Sequence, residues 1–141
     1  MTMEHIPDDF YQAIIKVMPV LCVDLVIKID GKYLLVKREK EPLRGRWWVP
    51  GGRVVKGETL VEAAHRKAAQ ELGITITPPR PIGFYEMRFN RGRAAANKHT
   101  VSIVMAAQPR SLTIRLDDQS SSWKLSQQLP GAFTIQRFTE E

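Results

Sequence analysis

The stretch GGRVVKGETLVEAAHRKAAQELGI, residues 51–74, is the most strongly patterned part of this 141-residue sequence. Apolar residues recur within it at intervals of three and four, which predicts a helix over 59–72. Thr59 can cap the amino end of that helix, and Glu62 three residues later completes a capping box. Gly73 stands where many helices end in a left-handed residue. The stretch therefore reads as a glycine-rich loop followed by one well-bounded helix.

The composition is that of an ordinary globular protein. Hydrophobic residues make up 43% and charged residues 26%, which argues against disorder. The single cysteine, Cys22, excludes a scaffold built on internal disulfides. No apolar run approaches the roughly 20 residues of a membrane-spanning helix, and the start, MTMEHIPDDF, is unlike a signal peptide. We therefore expect a single cytoplasmic domain over 1–141, with no membrane partner.

The balance of charge is basic. With 21 Lys and Arg against 15 Asp and Glu, the net charge is +6, which suits nucleic acid, a membrane surface or a phosphorylated small molecule. The basic residues cluster between Arg88 and Lys98, with Arg91 and Arg93 between them, but form no long Lys/Arg block. This distribution favours a local anion site over a nucleic-acid interface.

Outside residues 51–74 the sequence predicts hairpin strands with few helices. The predicted elements are a helix over about 8–17, strands over 20–29, 33–37, 47–49, 82–89, 100–107 and 111–116, and a strand end with a short helix over 123–129. Asp8 is the expected carboxylate cap of the first helix, which places Phe10, Ile14 and Val17 near one face. The order of elements predicts an α/β fold with a mixed sheet.

The spacing of charged residues in the patterned stretch resembles the Nudix box, G-x5-E-x7-R-E-U-x-E-E-x-G-U with U aliphatic. Here Gly52, Glu58, Arg66, Glu71 and Gly73 stand at the corresponding positions, so the box spans 52–74. The resemblance implies the Nudix fold, an α/β/α sandwich with a mixed sheet. It also implies a divalent cation and hydrolysis of a nucleoside diphosphate linked to another group.

Each part of the box has a physical purpose. Glycines let the backbone approach a ligand and present carbonyl oxygens, which suit a hard cation. Glu58 can pair with Arg66 and fix the loop against the helix, so this pair, with Gly52 and Gly73, is structural in the family. Glu71 can give a carboxylate oxygen to Mg²⁺. We expect one Mg²⁺ ion, with Mn²⁺ as an alternative.

At two positions the sequence departs from the box, and these departures indicate a resemblance to one subfamily. Lys67 replaces the glutamate that follows the arginine, and Gln70 replaces the first glutamate of the later pair. The remaining pattern, PGGRVVKGETLVEAAHR…ELG, resembles the GDP-mannose mannosyl hydrolases, which displace GDP at the sugar anomeric carbon with inversion. The similarity also includes LL-x-KR ending at Arg38 and G-x-W-x-VPGG ending at Gly52.

That subfamily resemblance implies roles for further residues. Gly51, Glu71 and Gln119 would bind the metal, Arg38 would stabilise the diphosphate, and Asp24 would lie near the sugar. Arg88 and Tyr85 are expected to contact the substrate in addition to Arg38.

The identity of the general base is open in the sequence. Ser120 stands where the subfamily has its catalytic histidine, and a serine needs its own activator near pH 7. His99 is therefore a candidate catalytic base, with Asp118 or Glu86 as alternatives.

These observations predict a Mg²⁺-dependent hydrolase of a nucleoside diphosphate sugar of the GDP-mannose type, forming a homodimer as the relatives do. Three other functions stay open. The chain could be a conventional Nudix diphosphatase that attacks phosphorus, on a nucleoside triphosphate or an ADP-ribose type substrate. It could be a nucleotide-binding domain without turnover, or it could bind RNA through the basic stretch.

Overall fold

The fold is a mixed sheet with a helix on each face. The computed structural model describes residues 6–41, 43–89 and 98–139. Its elements are α1 (Asp8–Val17), β1 (Val20–Ile29), β2 (Lys32–Arg38), β3 (Trp47–Trp48), β4 (Gly51–Arg53), α2 (Leu60–Leu72), β5 (Arg80–Phe89), β6 (Lys98–Ala107), β7 (Ser120–Ser126) and β8 (Gln136–Arg137).

Strand β1 organises the sheet. One edge pairs in parallel with β6, from Val20 against Thr100 to Ile27 against Ala107. The other edge is shared, since 22–24 pair with β4 and 28–29 pair with β2, both antiparallel. The described strands follow the order β3-β2-β1-β6-β5-β8, with β4 beside β1 and β7 beside β2. Strand β1 therefore joins the parallel pair to the antiparallel pairs of the sheet. The predicted α/β fold with a mixed sheet is confirmed.

The two faces of β1 bury different layers. Val23, Leu25 and Ile27 pack with the apolar side of α2. Because neighbouring residues of a strand face opposite sides, Val26 belongs to the other layer, which holds Trp48, Tyr85 and Phe133. On that second side, Cys22 and Val20 pack with Ile15 of α1. The helices therefore cover opposite faces, which is the expected α/β/α sandwich.

Helix α2 begins and ends where the sequence predicts. The Thr59 side chain accepts a hydrogen bond from the Glu62 N–H at 3.1 Å, and the Glu62 carboxylate accepts one from the Thr59 N–H at 3.0 Å. Gly73 ends the helix in the left-handed region, at φ 66°. These caps provide hydrogen-bond partners for backbone groups that a helix leaves unpaired at its ends. They therefore fix where the helix begins and ends relative to the loop before it.

The prediction of a strand over 111–116 is wrong. The segment is not part of the sheet, and Ile114 and Leu116 pack against the core beside α2. The Arg115 N–H donates to the Leu72 carbonyl at 2.7 Å, so this backbone closes the end of α2 instead of pairing with a strand.

The short helix predicted within 123–129 is also absent from the structure. Residues 120–126 form β7, which pairs with β2 from Arg38 against Ser120 to Tyr33 against Ser126. The Ser126 hydroxyl then donates to the Gln128 carbonyl at 2.7 Å, which fixes a local turn where a helix would need the same backbone groups.

Helix α1 has the predicted bounds but a different packed face. Its cap residue is Pro7, with no side-chain cap, so the expected Asp8 cap is wrong. Ile15 is its buried residue, whereas Phe10 is 61% and Val17 78% exposed.

The described helices include none that is long and apolar enough to cross a membrane.

Gly51 is a position where the fold leaves no room for a side chain. It pairs with Asp24 across β1 and β4, and a Cβ there would collide with the Asp24 carboxylate and the Val23 carbonyl. We expect Gly51→Ala to lower the free energy of unfolding by about 1–3 kcal/mol in urea titrations with EDTA present. Gly131→Ala is the matched control, because its Cβ would meet nothing within 4 Å. Equal stability of the two variants would contradict this expectation.

Candidate active site

A cavity of about 390 Å³ opens beside the loop that precedes α2. Its floor holds Asp24 from β1, Gly51 and Gly52 from β4, and Glu71 from α2. Around that floor lie five cationic side chains and two acidic ones: Arg38, Lys40, Arg53, Lys67, Lys98, Asp8 and Glu41. The surround is basic on balance, which suits a metal-bound, multiply charged anion.

Glu71 ties the helix to the loop. One carboxylate oxygen, Oε2, accepts a hydrogen bond from the Gly51 N–H at 3.0 Å, and the residue is only 5% exposed. The other oxygen, Oε1, faces the Lys67 ammonium at 3.9 Å. Burial raises the pKa of Glu71, while Lys67 and the Gly51 hydrogen bond act in the opposite direction. The structure thus holds a carboxylate in the cavity by two separate contacts.

The predicted pair of Glu58 and Arg66 forms a bidentate ion pair. Arg66 donates from Nε to Glu58 Oε2 at 2.7 Å and from Nη2 to Oε1 at 3.0 Å. Arg66 also donates to the Arg53 carbonyl at 2.8 Å, and the Val55 N–H donates to Glu58 at 2.9 Å. The hydrogen bond from Arg66 lowers the pKa of Glu58. Both ends of the loop are therefore fastened to α2, outside the cavity.

Asp24 is a buried carboxyl on the cavity floor, 9% exposed within an otherwise apolar strand. Burial raises its pKa to about 7, against a hydrogen bond with Ser102 and the positive charge of Arg38, which both lower it. A carboxyl group kept this dry is costly to the fold, which points to a use in the site.

Three predicted metal-binding residues line the same cavity: Gly51, Glu71 and Gln119. Gln119 precedes β7, where its carbonyl accepts from the Glu39 N–H at 2.9 Å and its N–H donates to Asp117 at 3.0 Å. Residues 6–41, 43–89 and 98–139 contain no group of three or more His, Cys, Asp and Glu able to hold a metal. The donors present fit one Mg²⁺, which commonly uses one or two carboxylates and completes its shell with water and phosphate oxygens.

Arg38 and Tyr85, two predicted substrate contacts, also reach the cavity. Tyr85 is at the same time part of the core, where its ring lies 5.0 Å from that of Phe133 and 6.1 Å from that of Trp48. Burial raises the pKa of Tyr85 to about 12. Its phenol is therefore a neutral hydrogen-bonding group at physiological pH.

His99 and Arg88 do not join the cavity. Lys98, Thr100 and Ser102 line it, and because neighbouring strand residues face opposite sides, His99 points away. Arg88 pairs with His99 across β5 and β6.

The other base candidates also lie outside the cavity lining. Glu86 is exposed on β5, and Asp118 is exposed, with its Oδ2 3.9 Å from Lys40 Nζ. Ser120, at the position of the subfamily's histidine, is buried and pairs with Arg38 in the β2–β7 ladder. Arg91 and Arg93 of the basic stretch lie outside the described residues.

Several cavity residues were not singled out from the sequence, among them Tyr11 and Arg53, whereas Lys98 belongs to the basic stretch from which an anion site was expected. Arg53 and Lys98 lie 5.4 Å and 5.5 Å from the centroid of the Tyr11 ring, within cation–π range. Lys67 projects from α2 one turn before Glu71. The spacing of four to Glu71 could have revealed Lys67, whereas the Tyr11 contacts join α1 to distant strands and leave no local signal in the sequence.

Cys22 lines the cavity but is not poised for nucleophilic chemistry. Burial raises the pKa of its thiol to about 11, with the nearby Asp24 acting in the same direction. The thiol is therefore protonated at neutral pH, and only thiolates are good nucleophiles.

The buried Asp24 makes stability depend on pH. Its folded pKa, about 7, lies above the ordinary aspartate value of 3.8, so its favourable contribution is complete below about pH 4 and lost as pH rises through 7. As the pH rises from 4.5 to 8, we expect the free energy of unfolding of Asp24→Asn to increase relative to that of the parent protein by about 2–4 kcal/mol. Denaturant titrations of metal-free protein measure this difference. The exposed Asp118→Asn variant is the control, and a stability difference for Asp24→Asn that stays constant with pH would contradict the expectation.

Comparison with known proteins agrees with this geometry. The family model described as NUDIX domain matches residues 18–131. The low-salt glycan biosynthesis protein Agl8 of Haloferax volcanii is 38% identical over 123 residues, 86% of this chain and 79% of that protein. An ADP-ribose pyrophosphatase of Methanocaldococcus jannaschii is 36% identical over 86 residues, 61% of this chain and 48% of that protein.

A solved structure shares the architecture. The MutT NUDIX hydrolase of Burkholderia pseudomallei superposes with a TM-score of 0.70 at 28% identity, covering 83% of this chain and 91% of that one. With the box geometry and the sequence match, this places the chain in the NUDIX domain family, that of the Nudix hydrolases.

Proposed function

We propose that the chain hydrolyses a nucleoside diphosphate sugar of the GDP-mannose type, with water attacking the sugar anomeric carbon and GDP leaving. The observation that carries this proposal is the composition of the box helix at the cavity. Glu71 is the acidic residue that α2 brings to the floor, and Lys67 stands one turn before it. A helix so poor in carboxylates is suited to binding a diphosphate leaving group, and poorly suited to assembling several metal ions for attack at phosphorus.

Glu71, Gln119 and the Gly51 carbonyl would hold one Mg²⁺ ion, or Mn²⁺ in its place. When bound, the ion would neutralise charge that develops on the departing diphosphate. The Gly51–Glu71 hydrogen bond keeps loop and helix together for this purpose.

Arg38 and Arg53 would bind the diphosphate. Both line the cavity, from β2 and β4 respectively, and guanidinium groups make strong paired hydrogen bonds with phosphate oxygens. Arg53 is oriented by the Tyr11 ring, and its backbone carbonyl is fixed by Arg66. The positive charge would stabilise GDP as the bond to the sugar breaks.

Asp24 would contact the sugar and the attacking water. It lies on the cavity floor next to Gly51, close to the proposed metal site. His99, Glu86 and Asp118, the other base candidates, are absent from the cavity lining in the described part of the chain. Position therefore favours Asp24 as the group that orients water at the anomeric carbon.

The names of the relatives support two neighbouring reactions. Agl8 is named for glycan biosynthesis, which suits a sugar-linked substrate. The ADP-ribose pyrophosphatase is named for attack at a diphosphate, and this favours the second candidate, a diphosphatase acting on an ADP-ribose type substrate. The two functions differ in which atom water attacks.

The position of attack can be read from oxygen labelling. We expect hydrolysis of GDP-mannose with Mg²⁺ in ¹⁸O-water to place the label on the free sugar and to leave GDP unlabelled, as determined by mass spectrometry. Label on phosphate would contradict the proposal and support the diphosphatase. If no compound in a panel of nucleotide sugars is turned over, the proposal is wrong.

Loss of the metal-binding carboxylate supplies a second test. Changing groups that merely support a metal ligand reduces activity about 10–100-fold. We therefore expect Glu71→Gln to reduce kcat by at least about 100-fold. Glu86→Gln, an exposed change on β5, is the matched control and should retain the parent rate. A Glu71→Gln variant as active as the control would contradict the assignment of the metal site.

We further propose a homodimer, on the resemblance to the mannosyl hydrolases. Phe10 and Val17, seven residues apart on α1, and Met18 just after it are exposed apolar side chains, which would supply an interface. Light scattering should give twice the 16.1 kDa chain mass, and Val17→Lys should weaken association. A monomeric parent protein at micromolar concentration would contradict this proposal.

A further inference from the structure

We propose that the Lys67 ammonium is a built-in cation of the cavity, which supplies part of the positive charge that a second divalent ion would bring and repels divalent ions near Glu71. The inference rests on the metal site of the proposed function but is independent of the substrate. It assigns a role to Lys67, which replaces a glutamate of the box and so reverses the charge at that position.

The first observation is that Lys67 is confined. Its side chain is only 13% exposed, although lysines usually keep their ammonium group in water. The ammonium lies 3.9 Å from Glu71 Oε1, one helical turn away, and the residue lines the cavity. The charge is therefore directed into the site.

The second observation is that the loop makes room for this side chain. A Cβ built on Gly52 would lie 2.6 Å from Lys67 Cε and 2.8 Å from Nζ, well inside contact distance. Lys67 thus fills the space that the missing Gly52 side chain leaves. The side chain lies over Gly52, with its ammonium beside Glu71.

The third observation concerns the donors that a second ion would need. Glu71 Oε2 accepts a hydrogen bond from the Gly51 N–H, and the Lys67 ammonium faces the other oxygen, Oε1. The Gln70 side-chain oxygen accepts a hydrogen bond from Arg66 Nη1 at 3.0 Å and is turned toward that ion pair. Within the described ranges, the carboxylates needed for a cluster are not assembled.

Electrostatics supplies the reason for one ion. The ammonium repels any divalent ion near it, and a second ion would face that repulsion together with the repulsion of the first ion. The ammonium itself offers a positive charge that needs no binding equilibrium, and a lysine acts on phosphate as a compact point charge. Lys67 therefore substitutes for part of the charge that a second ion would bring to a diphosphate.

The experiment counts bound ions directly. Free Mn²⁺ is followed by electron paramagnetic resonance during titration of the full chain, without substrate. We expect one bound Mn²⁺ for the parent protein. Lys67→Met should still bind one ion, but about tenfold more tightly, because a competing positive charge has been removed. Lys67→Glu should bind two ions, because it replaces the ammonium with a carboxylate.

Lys56→Met is the matched control, since Lys56 is an exposed lysine of the same box and is absent from the cavity lining. It should bind one ion with the parent affinity. Two ions on the parent protein, unchanged affinity in Lys67→Met, or a single ion on folded Lys67→Glu would each overturn the inference. If Lys67→Glu does not fold, the Mn²⁺ affinity of Lys67→Met decides between the two outcomes. No Mn²⁺ binding by any of these proteins would instead overturn the metal site of the proposed function, and this inference with it.

Discussion

The hydrogen bond from the Gly51 N–H to Glu71 is the contact on which the site depends. It links a glycine that pairs with the central strand to a carboxylate near the end of α2, twenty residues later. The ion pair of Glu58 and Arg66 fastens the intervening loop, so loop, strand and helix cannot shift independently. Because the capping box and Gly73 fix both ends of α2, a single rigid unit places Glu71 beside Asp24 on the cavity floor.

This unit keeps two carboxyl groups where water has little access, which works against folding. Burial raises the pKa of both Asp24 and Glu71. The opposing contacts come from separate elements: Ser102 on β6 and Arg38 on β2 act on Asp24, while Lys67 acts on Glu71. Burial of the apolar layers on both sides of β1 offsets the free-energy cost of these buried carboxyl groups. Such local costs are common at functional sites.

Local patterns in the sequence predicted the parts of the structure that depend on neighbours in the chain. Thr59, Glu62 and Gly73 indicated the bounds of α2, and the spacing of Glu58 to Arg66 indicated their contact. The strand predicted over 111–116 failed because its backbone closes the end of α2 through Arg115, a contact that no local pattern encodes. The orientation of His99 depends on the parity of β6 relative to the cavity, which only the assembled sheet sets. Lys67 was visible as a departure from the box, but its confinement over Gly52 required the packed loop.

A crystal structure with Mn²⁺ and GDP, using the anomalous signal to locate the metal, tests the assignment of the site most directly. We expect one Mn²⁺ bound by Glu71 and the Gly51 carbonyl, with the diphosphate between that ion and the Arg38 and Arg53 side chains. A second cavity of about 390 Å³ is lined by Lys28, Arg80 and Arg137, among others. GDP in that cavity, or Mn²⁺ bound without Glu71, would contradict this assignment.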